Sequence, residues 1–570
     1  MKRRDFLKVT SSAAGLMALH RFGFGEASTT ASVQAAASAP AGAAGAARAS
    51  PSPTGPATTP RTAGMNILFL IVEDWTPAAI SCYGSAICRT PHTDAFARSG
   101  VRFDHAYVSV PICNPSRSSL CTGLRPDSTR VYGNDDDMGK CLPAGAVSLA
   151  ELLKQRGAYT ASISKLYHDT AMAEKQLSAF DRLEMCERPA GYKGVSKGYK
   201  APLGTPPSLR KGWTYTPDLE LDAKLVQLKK QEKELEQKYP PGTPGRWAKV
   251  YAPFYQEYTE LLGDSGEREE HMEDGKIARL AVQMLREFAA EGRQFFLSVG
   301  LHAPHTPLLA PKKYVDMYSP DDMPMPHAPH SQDKGVPDIA LRFGRNYDVF
   351  CVREQTPDRV RKAIASYYAC STFVDAQIGL ILKGLDDAGL TGSTIVVLVG
   401  DHGFHLGEHG CWSKFTLFEQ STHAPLIVRI PGAKANGRSC DRIVEFVDLL
   451  PTFADLWSIE TPRTFEGLSF TPLLDDPGRP WKTAAFSMLP AAVDDGLGRS
   501  VRTKRYRYTE WRRDKSLPGR GSKPLAVELY DLQTDPWEQT NLAEDPACAG
   551  TRAELAALLA AGYKAALPER

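Results

Sequence analysis

Four continuous apolar segments, each running into charged or histidine residues, constrain the fold more than any other feature of this chain. The segments are 66–72, 159–163, 294–300 and 394–400. Apolar runs of this length are typical of strands buried on both faces, as in a parallel sheet covered by helices. Helical periodicity between them predicts helices over 93–99, 149–156, 276–290 and 360–388. The alternation of strand and helix predicts an α/β sandwich with a mostly parallel central sheet.

Chemically active residues follow each apolar segment. They are Glu73-Asp74, Ser164-Lys165 with His168, His302 with His305, and Asp401-His402. In open α/β sheets, ligands bind beyond the carboxyl ends of the strands. We therefore expect a composite site at one edge of the sheet.

Glu73, Asp74 and Asp401 would bring three carboxylates to that edge. Unpaired, they would repel one another and raise one another's pKa. A divalent cation removes this conflict, and oxygen ligands favour Ca²⁺ or Mg²⁺. His402 adds a nitrogen donor and widens the choice of metal. The alternative is that the carboxylates cap the helices that follow each strand, but the two clusters together favour a metal.

The sequence changes character twice after the first strands. Residues 187–264 are polar, with a charged run at 229–238, and are interpreted as a variable surface insertion with a solvated helix. After about residue 478, the alternation over 500–511 predicts an antiparallel strand, 528–532 a second strand, and 551–566 an amphipathic helix. We predict a catalytic domain over 65–478 and a smaller C-terminal α+β domain with a short antiparallel sheet over 479–570.

The N-terminus resembles a twin-arginine export signal, with Arg3-Arg4 followed by Phe6-Leu7-Lys8. We place this signal at 1–27 and a disordered linker rich in Ala, Pro, Ser and Thr at 28–64. The sequence contains no apolar stretch long enough to predict a membrane span in the mature chain. These features predict a periplasmic or secreted protein that the twin-arginine machinery exports. A net charge of +2 argues against nucleic acid as a partner.

The segment Cys113-Asn114-Pro115-Ser116-Arg117 resembles the modification site of the type I sulfatases, Cys-x-Pro-Ser-Arg. In that family the cysteine is oxidised to Cα-formylglycine, and the hydrated aldehyde is the nucleophile. The alternative interpretation is an ordinary cysteine before a turn.

The resemblance extends from Asn66 to about Asn541, and within the family it points to the iduronate-2-sulfatase-like branch. The segments that carry it, in the family's order, are 71–75, 82–84, 125–127, 165–168, 301–307, 400–410, 412–414 and 528–531. The resemblance implies an alkaline-phosphatase-like sandwich and the hydrolysis of sulfuric esters.

The same resemblance implies roles for individual residues. Those that would surround the metal are Glu73, Asp74, modified Cys113, Asp401 and His402. Those that would surround the sulfate ester are Lys165, His168, His305 and Lys414. Arg117 would hold the formylglycine and offset negative charge. His302 would support the site or face the substrate, and His405 either faces the substrate or packs beside the loop, with packing favoured.

A mechanism follows from these implied roles. The metal, Lys165, Lys414 and Arg117 would stabilise charge on the sulfate. His305 or Lys414 would protonate the departing sugar oxygen, and His168 would act as the base that releases sulfate. A formylglycine-generating maturation enzyme is an implied partner. Because the twin-arginine route moves folded proteins, we expect the modification to occur in the cytoplasm before folding.

Four positions depart from the pattern that the chain resembles. Glu73 replaces the usual first aspartate, and Ser164 replaces the usual glycine before the lysine. Asn114 is an unusual second residue of the motif, and Cys121 replaces a large apolar residue. These changes leave the core of the motif intact.

Three functions compete at this stage. The leading hypothesis is a sulfuric ester hydrolase that acts on a sulfated carbohydrate, with a 2-O-sulfated uronic acid of a polysaccharide suggested by the closest branch. The second is a phosphonate or phosphate ester hydrolase of the same superfamily. The third is a non-catalytic, exported glycan-binding homologue, motivated by Glu73 and the altered motif positions. The retained Lys165, His168, Lys414 and Asp401 argue against the third, because a binding protein needs no proton-transfer groups.

Overall fold

The structure is a computed structural model of the chain. It describes residues 62, 64–168, 174–185, 193–195, 197, 219–239, 249–341, 352–460, 465–491, 496–513 and 523–568. The predicted export signal and nearly all of the predicted linker lie outside these residues, as does much of the predicted insertion. The predicted domain boundaries remain predictions.

The strands of the described residues follow one another along the whole chain. They are β1 (Asn66–Val72), β2 (Val101–Tyr107), β3 (Tyr159–Ile163), β4 (Arg182–Glu184), β5 (Leu262–Asp264), β6 (Phe295–Leu301), β7 (Leu308–Ala310), β8 (Thr394–Gly400), β9 (Leu426–Arg429), β10 (Ser439–Glu445), β11 (Ala484–Pro490), β12 (Leu497–Thr503), β13 (Tyr506–Arg512) and β14 (Ala526–Asp531). The four predicted apolar strands correspond to β1, β3, β6 and β8.

The α-helices lie between and after these strands. They are α1 (Pro91–Ala97), α2 (Cys113–Thr122), α3 (Pro126–Thr129), α4 (Met138–Cys141), α5 (Leu149–Lys154), α6 (Glu174–Leu177), α7 (Leu219–Lys238), α8 (Ala252–Tyr258), α9 (Glu273–Ala290), α10 (Lys312–Val315), α11 (Pro357–Asp387), α12 (Glu419–Thr422), α13 (Leu449–Leu456), α14 (Thr471–Asp475) and α15 (Ala549–Ala561). The four helices predicted from periodicity correspond to α1, α5, α9 and α11. No helix in the described part of the chain is both long and apolar enough to cross a bilayer.

Among the described strands, eight form the main sheet, in the order β10-β2-β9-β8-β1-β6-β3-β4. Only β9 runs antiparallel to its neighbours, and the other pairs are parallel. The predicted α/β fold with a mostly parallel sheet is confirmed.

The central strand β1 shows why its sequence is apolar without a break. Every residue of β1 is buried. Ile67, Phe69 and Ile71 pack into a core with α5 and α13 on one face of the sheet. The alternate residues of the strand pack on α9 and α11 on the other face. Side chains of a strand alternate between faces, so a strand covered on both sides needs apolar residues at every position.

The C-terminal region contains a second, antiparallel sheet in the order β11-β12-β13-β14. The sequence predicts one strand over 500–511, but the chain turns back at Lys504-Arg505 and forms the hairpin of β12 and β13. The alternation has the same period in both strands, and no glycine, proline or asparagine marks the turn. The predicted C-terminal helix is also shorter than expected, because α15 ends at Ala561 and a 3₁₀ helix follows at Tyr563–Ala566.

The four strands that lead into the predicted site are neighbours in the main sheet, in the order β8-β1-β6-β3. Val72 pairs with both Gly400 and Leu301, so the carboxyl ends of β1, β6 and β8 lie level. The residues beyond these ends therefore follow one another along a single edge, although their order in space differs from their order in the chain.

Candidate active site

The turn after β1 aims Asp74 into the edge of the sheet. Asp74 has a positive φ of 53°, which is uncommon for a non-glycine residue and typical of functional sites. Its amide donates to Asp401 Oδ1 at 3.0 Å, and its carbonyl accepts from the hydroxyl of Tyr367. Tyr367 also accepts from the Thr76 amide at 3.0 Å. Sequence reasoning missed Tyr367, because its position within a long helical pattern makes it look like any core aromatic.

Cys113 is the first residue of α2 and is 1% exposed. Its Sγ atom lies 3.3 Å from His402 Nε2 and 3.3 Å from Lys414 Nζ. The amino end of a helix carries partial positive charge. The start of α2 therefore adds to the cationic character of this point, which suits an anionic substrate.

Four buried side chains converge on one point as candidate metal ligands. Donor atoms of Asp74, Cys113, Asp401 and His402 all lie within 4.8 Å of one another. His402 Nδ1 is 2.9 Å from the Gly403 carbonyl oxygen, which assigns the proton to Nδ1. His402 Nε2 then faces the carboxylates, 3.4 Å from Asp74 Oδ1 and 3.6 Å from Asp401 Oδ1. Burial would lower the pKa of His402, but Asp401 and Cys113 raise it to about 9, so a cation bound at Nε2 would displace a proton. Buried carboxylates beside an imidazole oriented through Nδ1 fit a divalent cation.

Glu73 lies beside this group but not within it. One carboxylate oxygen pairs with Lys165 Nζ and lies 3.3 Å from an Arg117 nitrogen. The other lies 3.0 Å from His302 Nδ1. Burial would raise the pKa of Glu73, but Lys165, His302 and Arg117 hold it well below its usual range. Its contacts are thus with cationic and imidazole groups, and its role as a metal ligand remains a prediction.

Arg117 is fully buried and joins three strand ends. Its Nε donates to Asp401 Oδ2 at 3.0 Å, and one terminal nitrogen donates to the carbonyl oxygens of Lys165 and Leu166 at 2.7 and 3.1 Å. Its remaining nitrogen contacts Glu73. Burial would raise the pKa of Asp401, but His402 and Arg117 lower it to about 2. The guanidinium therefore fixes the geometry of the acidic residues and adds to the charges that keep them ionised.

Lys414 reaches the same point from the loop that follows β8. Its Nζ donates to Asp74 Oδ1 at 2.6 Å, and the residue is 4% exposed. Burial lowers the pKa of Lys414, but Asp74 and Cys113 more than offset this, so the ammonium stays charged. Periodicity does not point to Lys414, which came from the family resemblance alone.

Solvent reaches the site from the side of the histidines. The side chains of His302 and His305 are 32% and 36% exposed, against 5% for Lys414. His305 Nδ1 is 2.8 Å from the Thr306 carbonyl oxygen, which turns Nε2 toward Asp74 Oδ2 at 3.9 Å. A substrate would therefore enter past these two rings.

His168 lies three residues after Lys165, in the segment that follows β3. Burial and the nearby Lys165 hold the pKa of His168 well below its usual range, so the ring is neutral. Its buried Nδ1 has no hydrogen-bond partner among the described residues. A neutral imidazole with an unpaired nitrogen is able to accept a proton, and the lowered pKa makes it a weaker base than a free imidazole.

His405, a predicted substrate contact, lies away from this opening. It is fully buried. Its Nε2 is 2.7 Å from Thr416 Oγ1, and its ring packs on Phe418 and His409. These contacts favour the interpretation that His405 packs beside the loop.

Two departures within the motif have structural contacts. Asn114 donates to the carbonyl oxygens of Gly133 and Asp136 at 3.1 and 2.8 Å. Cys121 is fully buried in the apolar core beneath the sheet, and burial raises its pKa to about 12. Asn114 therefore ties the start of α2 to the loop at 133–136, and Cys121 fills the core. Neither residue belongs to the four converging donors.

Comparison with known proteins finds similarity to sulfatases along most of the chain. The sulfatase family profile matches residues 65–459, and the profile of the N-sulphoglucosamine sulphohydrolase C-terminal region matches 407–564. The chain is 28% identical to human iduronate 2-sulfatase, over 85% of this chain and 92% of that protein. It is 27% identical to an ulvan-active sulfatase of Formosa agariphila, over 84% and 77%. Among solved structures, a phosphonate monoester hydrolase of Agrobacterium radiobacter shares the fold, with a TM-score of 0.63 at 22% identity over 86% of this chain and 94% of that chain.

Proposed function

Because this chain belongs to the sulfatase family and is a sulfatase, we propose that it removes sulfate from a sulfated sugar of a polysaccharide. We propose a 2-O-sulfated uronic acid as the first substrate to test, since iduronate 2-sulfatase is among its relatives. The observation that carries the proposal is the convergence of Asp74, Cys113, Asp401 and His402 at one buried point, next to the ammonium of Lys414.

The charges around this point suit a sulfate monoester. The ester is an anion, and its leaving alcohol gains negative charge as the bond to sulfur breaks. We propose that Lys165, Lys414 and the amino end of α2 stabilise the negative charge that develops on the bound ester. Removing one preorganised donor of this kind typically costs about 10²–10³-fold in kcat.

The residues present fit a hard divalent cation. Asp74, Asp401 and His402 would hold Ca²⁺ or Mg²⁺, and the ion would supply Lewis-acid stabilisation of the sulfate oxygens. Arg117 would keep Asp401 oriented through the hydrogen bond at 3.0 Å. Glu73 is a proposed further ligand from the family resemblance, and its present partners are Lys165, Arg117 and His302.

Residue 113 is the proposed nucleophile after maturation. We propose that an oxidising maturation enzyme converts Cys113 to Cα-formylglycine, whose hydrated aldehyde supplies the attacking oxygen. The surroundings of Cys113 support this role, because His402 and Lys414 each lie 3.3 Å from its sulfur. Lys414 and the start of α2 would stabilise negative charge at this position.

Two proton-transfer roles are proposed, a base and an acid. His168, neutral and with an unpaired Nδ1, is the proposed base. Lys414 or His305 would protonate the departing sugar oxygen. The Nδ1 of His305 is committed to the Thr306 carbonyl, so only its Nε2 would face the substrate.

The proposed cellular setting rests on the sequence of the N-terminus. Its twin-arginine pattern supports export to the periplasm or beyond the cell, where sulfated polysaccharides are found. Export in a folded state would require residue 113 to be oxidised in the cytoplasm.

A substrate panel tests the proposal directly. Purified protein is incubated with Ca²⁺ and defined disaccharides sulfated at single positions, and released sulfate is measured by ion chromatography. An aryl sulfate, an aryl phosphodiester and an aryl phosphonate are run beside them. We expect sulfate release from the sugars and from the aryl sulfate, and none from a Cys113→Ala variant.

Three outcomes would change the proposal. Faster turnover of the phosphonate or phosphodiester than of any sulfate ester would favour the second hypothesis. Binding of sulfated sugars without any turnover, by protein in which residue 113 is oxidised, would favour the glycan-binding homologue. Release of sulfate from a sugar sulfated only at another position would reject the 2-O assignment and leave the reaction class in place.

A further inference from the structure

Three polar residues form a continuous chain along the edge of the main sheet. The Oγ atom of Ser164 lies 2.8 Å from His302 Nε2, and His302 Nδ1 lies 3.0 Å from a carboxylate oxygen of Glu73. These residues follow β3, β6 and β1, which are adjacent strands in that order. The His302 imidazole thus links Ser164 on one side to Glu73 on the other, across the ends of three adjacent strands.

Ser164 adopts a conformation that a glycine would accept more easily. Its φ is 59°, in the left-handed region, where a side chain is strained and glycine is not. The backbone around it is fixed, because Lys165 packs against Gly300 so closely that a Cβ on Gly300 would lie 2.2 Å from the Lys165 carbonyl oxygen. The chain therefore carries a hydroxyl at a position where the backbone favours glycine, and that hydroxyl is the one bonded to His302.

His302 is held at its backbone as well as at both ring nitrogens. The two carboxylate oxygens of Asp274 accept from the amides of His302 and Ala303 at 2.7 and 2.8 Å. Asp274 is buried at the start of α9. With the backbone fixed by Asp274 and the ring fixed by Ser164, the imidazole is a rigid donor to Glu73.

The two oxygens of Glu73 have divided partners. His302 occupies one oxygen, and the other pairs with Lys165 and Arg117. A glutamate has one more rotatable bond than an aspartate, so an unrestrained Glu73 carboxylate would sample more orientations. The imidazole restricts that freedom, and the ammonium of Lys165 is then held in place.

We propose that Ser164 and His302 are positioning residues that fix the carboxylate of Glu73 and, through it, the ammonium of Lys165. Ser164 and Glu73 act as one unit, although each departs separately from the pattern that the sequence resembles. The effect on sulfate hydrolysis rests on the proposed function, whereas the hydrogen-bonded chain itself does not.

Substitutions at Ser164 separate the hydroxyl from the backbone. Ser164→Gly removes the hydroxyl and relieves the positive φ, and Ser164→Ala removes the hydroxyl and keeps the strain. We expect both to lower kcat about tenfold, with KM changed less than about twofold because ground-state contacts remain. Ser164→Gly should match or exceed the wild-type Tm, while Ser164→Ala should not. Ser162→Ala is the matched control and should keep the wild-type kcat. Ser162 lies on β3, two residues before Ser164, and its buried hydroxyl has no hydrogen-bond partner among the described residues.

A double-mutant cycle tests whether Ser164 acts through Glu73. In Glu73→Asp the shorter carboxylate loses its reach to His302, so adding Ser164→Gly should change kcat less than about twofold. An equal tenfold loss in both backgrounds, or wild-type kcat in Ser164→Gly alone, would overturn the proposal. Either result would leave the assignment as a sulfatase untouched.

A measurement without substrate covers the case in which no sulfate ester is turned over. In protein labelled with ¹⁵N-histidine, the hydrogen-bonded Nδ1 proton of His302 should appear downfield in the NMR spectrum. It is assigned by its loss in His302→Gln. The resonance should shift in Ser164→Gly and stay in place in Ser162→Ala. Its absence from the wild type, or an unchanged position in Ser164→Gly, would contradict the chain of hydrogen bonds.

Discussion

Lys414 Nζ lies 3.3 Å from Cys113 Sγ, although the two residues are 301 positions apart in the sequence. They meet because α2 begins at the edge of the main sheet, and the loop after β8 returns to the same edge. The same ammonium donates to Asp74 at 2.6 Å. A buried positive charge is thus shared between a candidate metal ligand and the candidate nucleophile.

Lys414→Met should impair both stability and activity. The substitution leaves the buried Asp74 carboxylate without its cation, which typically costs about 3–5 kcal/mol. We expect a lower free energy of unfolding in chelator, with part of the loss recovered on adding Ca²⁺, and a fall in kcat of about 10²–10³-fold. Denaturant unfolding with and without Ca²⁺ and steady-state kinetics measure these effects.

Lys482→Met is the matched control for Lys414. Lys482 is also buried, and it pairs with Glu445 and Asp448 at 2.9 and 2.6 Å, apart from the converging donors. Its loss should destabilise the protein and leave the kcat of the folded fraction near that of the wild type. A wild-type kcat in Lys414→Met would contradict the assigned role.

Chelation should remove activity and lower the Tm. A ligand present at 100 times its Kd stabilises the native state by about 2.7 kcal/mol, and Asp74, Asp401 and His402 are the proposed binding groups. Differential scanning calorimetry in EDTA and after adding back Ca²⁺ or Mg²⁺ gives the shift. Asp401→Asn should abolish the dependence of Tm on the metal, and a Tm that chelator leaves unchanged would argue against a bound ion.

Arg117→Lys should not behave as a conservative change. The guanidinium donates to Asp401 and to two carbonyl oxygens at once, and an ammonium cannot reproduce that fork. Buried acceptors left unpaired should lower the free energy of unfolding by about 2–4 kcal/mol. Arg102→Lys, which changes a partly exposed ion pair with Asp104, should cost much less. Equal losses in the free energy of urea unfolding for Arg117→Lys and Arg102→Lys would mean that the forked hydrogen bonds of Arg117 add nothing to stability.

Substitutions of Cys113 test the proposed chemistry. Mass spectrometry of the tryptic peptide should find residue 113 lighter than cysteine by the difference between CH₂SH and CHO. Cys113→Ser retains a hydroxyl but has no second one to expel sulfate, so any reaction should stop with the serine sulfated. Intact mass after incubation with substrate would detect the adduct, whereas multiple turnovers by Cys113→Ser would refute the mechanism.

The pH dependence of stability should include a contribution from His405. Burial holds its pKa well below the usual value of 6.5, so as the pH falls the ring is protonated in the unfolded chain before it is protonated in the folded chain. The contribution of the neutral ring to the free energy of unfolding is therefore complete above about pH 7.5. It is lost as the pH falls from there toward the lowered folded-state pKa. His405→Gln, which can still bond Thr416, should reduce this loss. Urea unfolding from about pH 5 to pH 8 measures the free energy of unfolding of both proteins, and His92→Gln is the surface control. Parallel plots of this free energy against pH for wild type and His405→Gln would contradict the assignment.

The strands and the composite site were predictable because their signals are local. Each of β1, β3, β6 and β8 is an unbroken apolar run that ends in ionisable residues, and parallel strands place such ends together. Asp74, Asp401 and His402 could therefore be grouped before any contact was known. The hairpin of β12 and β13 could not be separated in this way, since the alternation passes through Lys504-Arg505 without a turn residue.

The finer geometry of the site depends on the order of the strands in the sheet, and no local sequence pattern indicates that order. β6 enters the sheet between β1 and β3, and only this places His302 between Glu73 and Ser164. Tyr367 looks like an ordinary helix residue until α11 brings its hydroxyl to the Asp74 turn. Asp274 left a weak signal, as an acidic residue just before the helix predicted over 276–290.

Every residue of α2 is buried, beginning with Cys113. Cys113 is 1% exposed in the folded chain, so a maturation enzyme that has to bind the residues around it would act before α2 packs. If residue 113 is oxidised during biosynthesis, a molecule that folds before the oxidation stays inactive. It then has the same fold as the oxidised, active molecules. The specific activity of a preparation would then measure the fraction of molecules oxidised at residue 113 and not the fraction that is folded. Recombinant hosts would be compared by the ratio of oxidised to unoxidised protein.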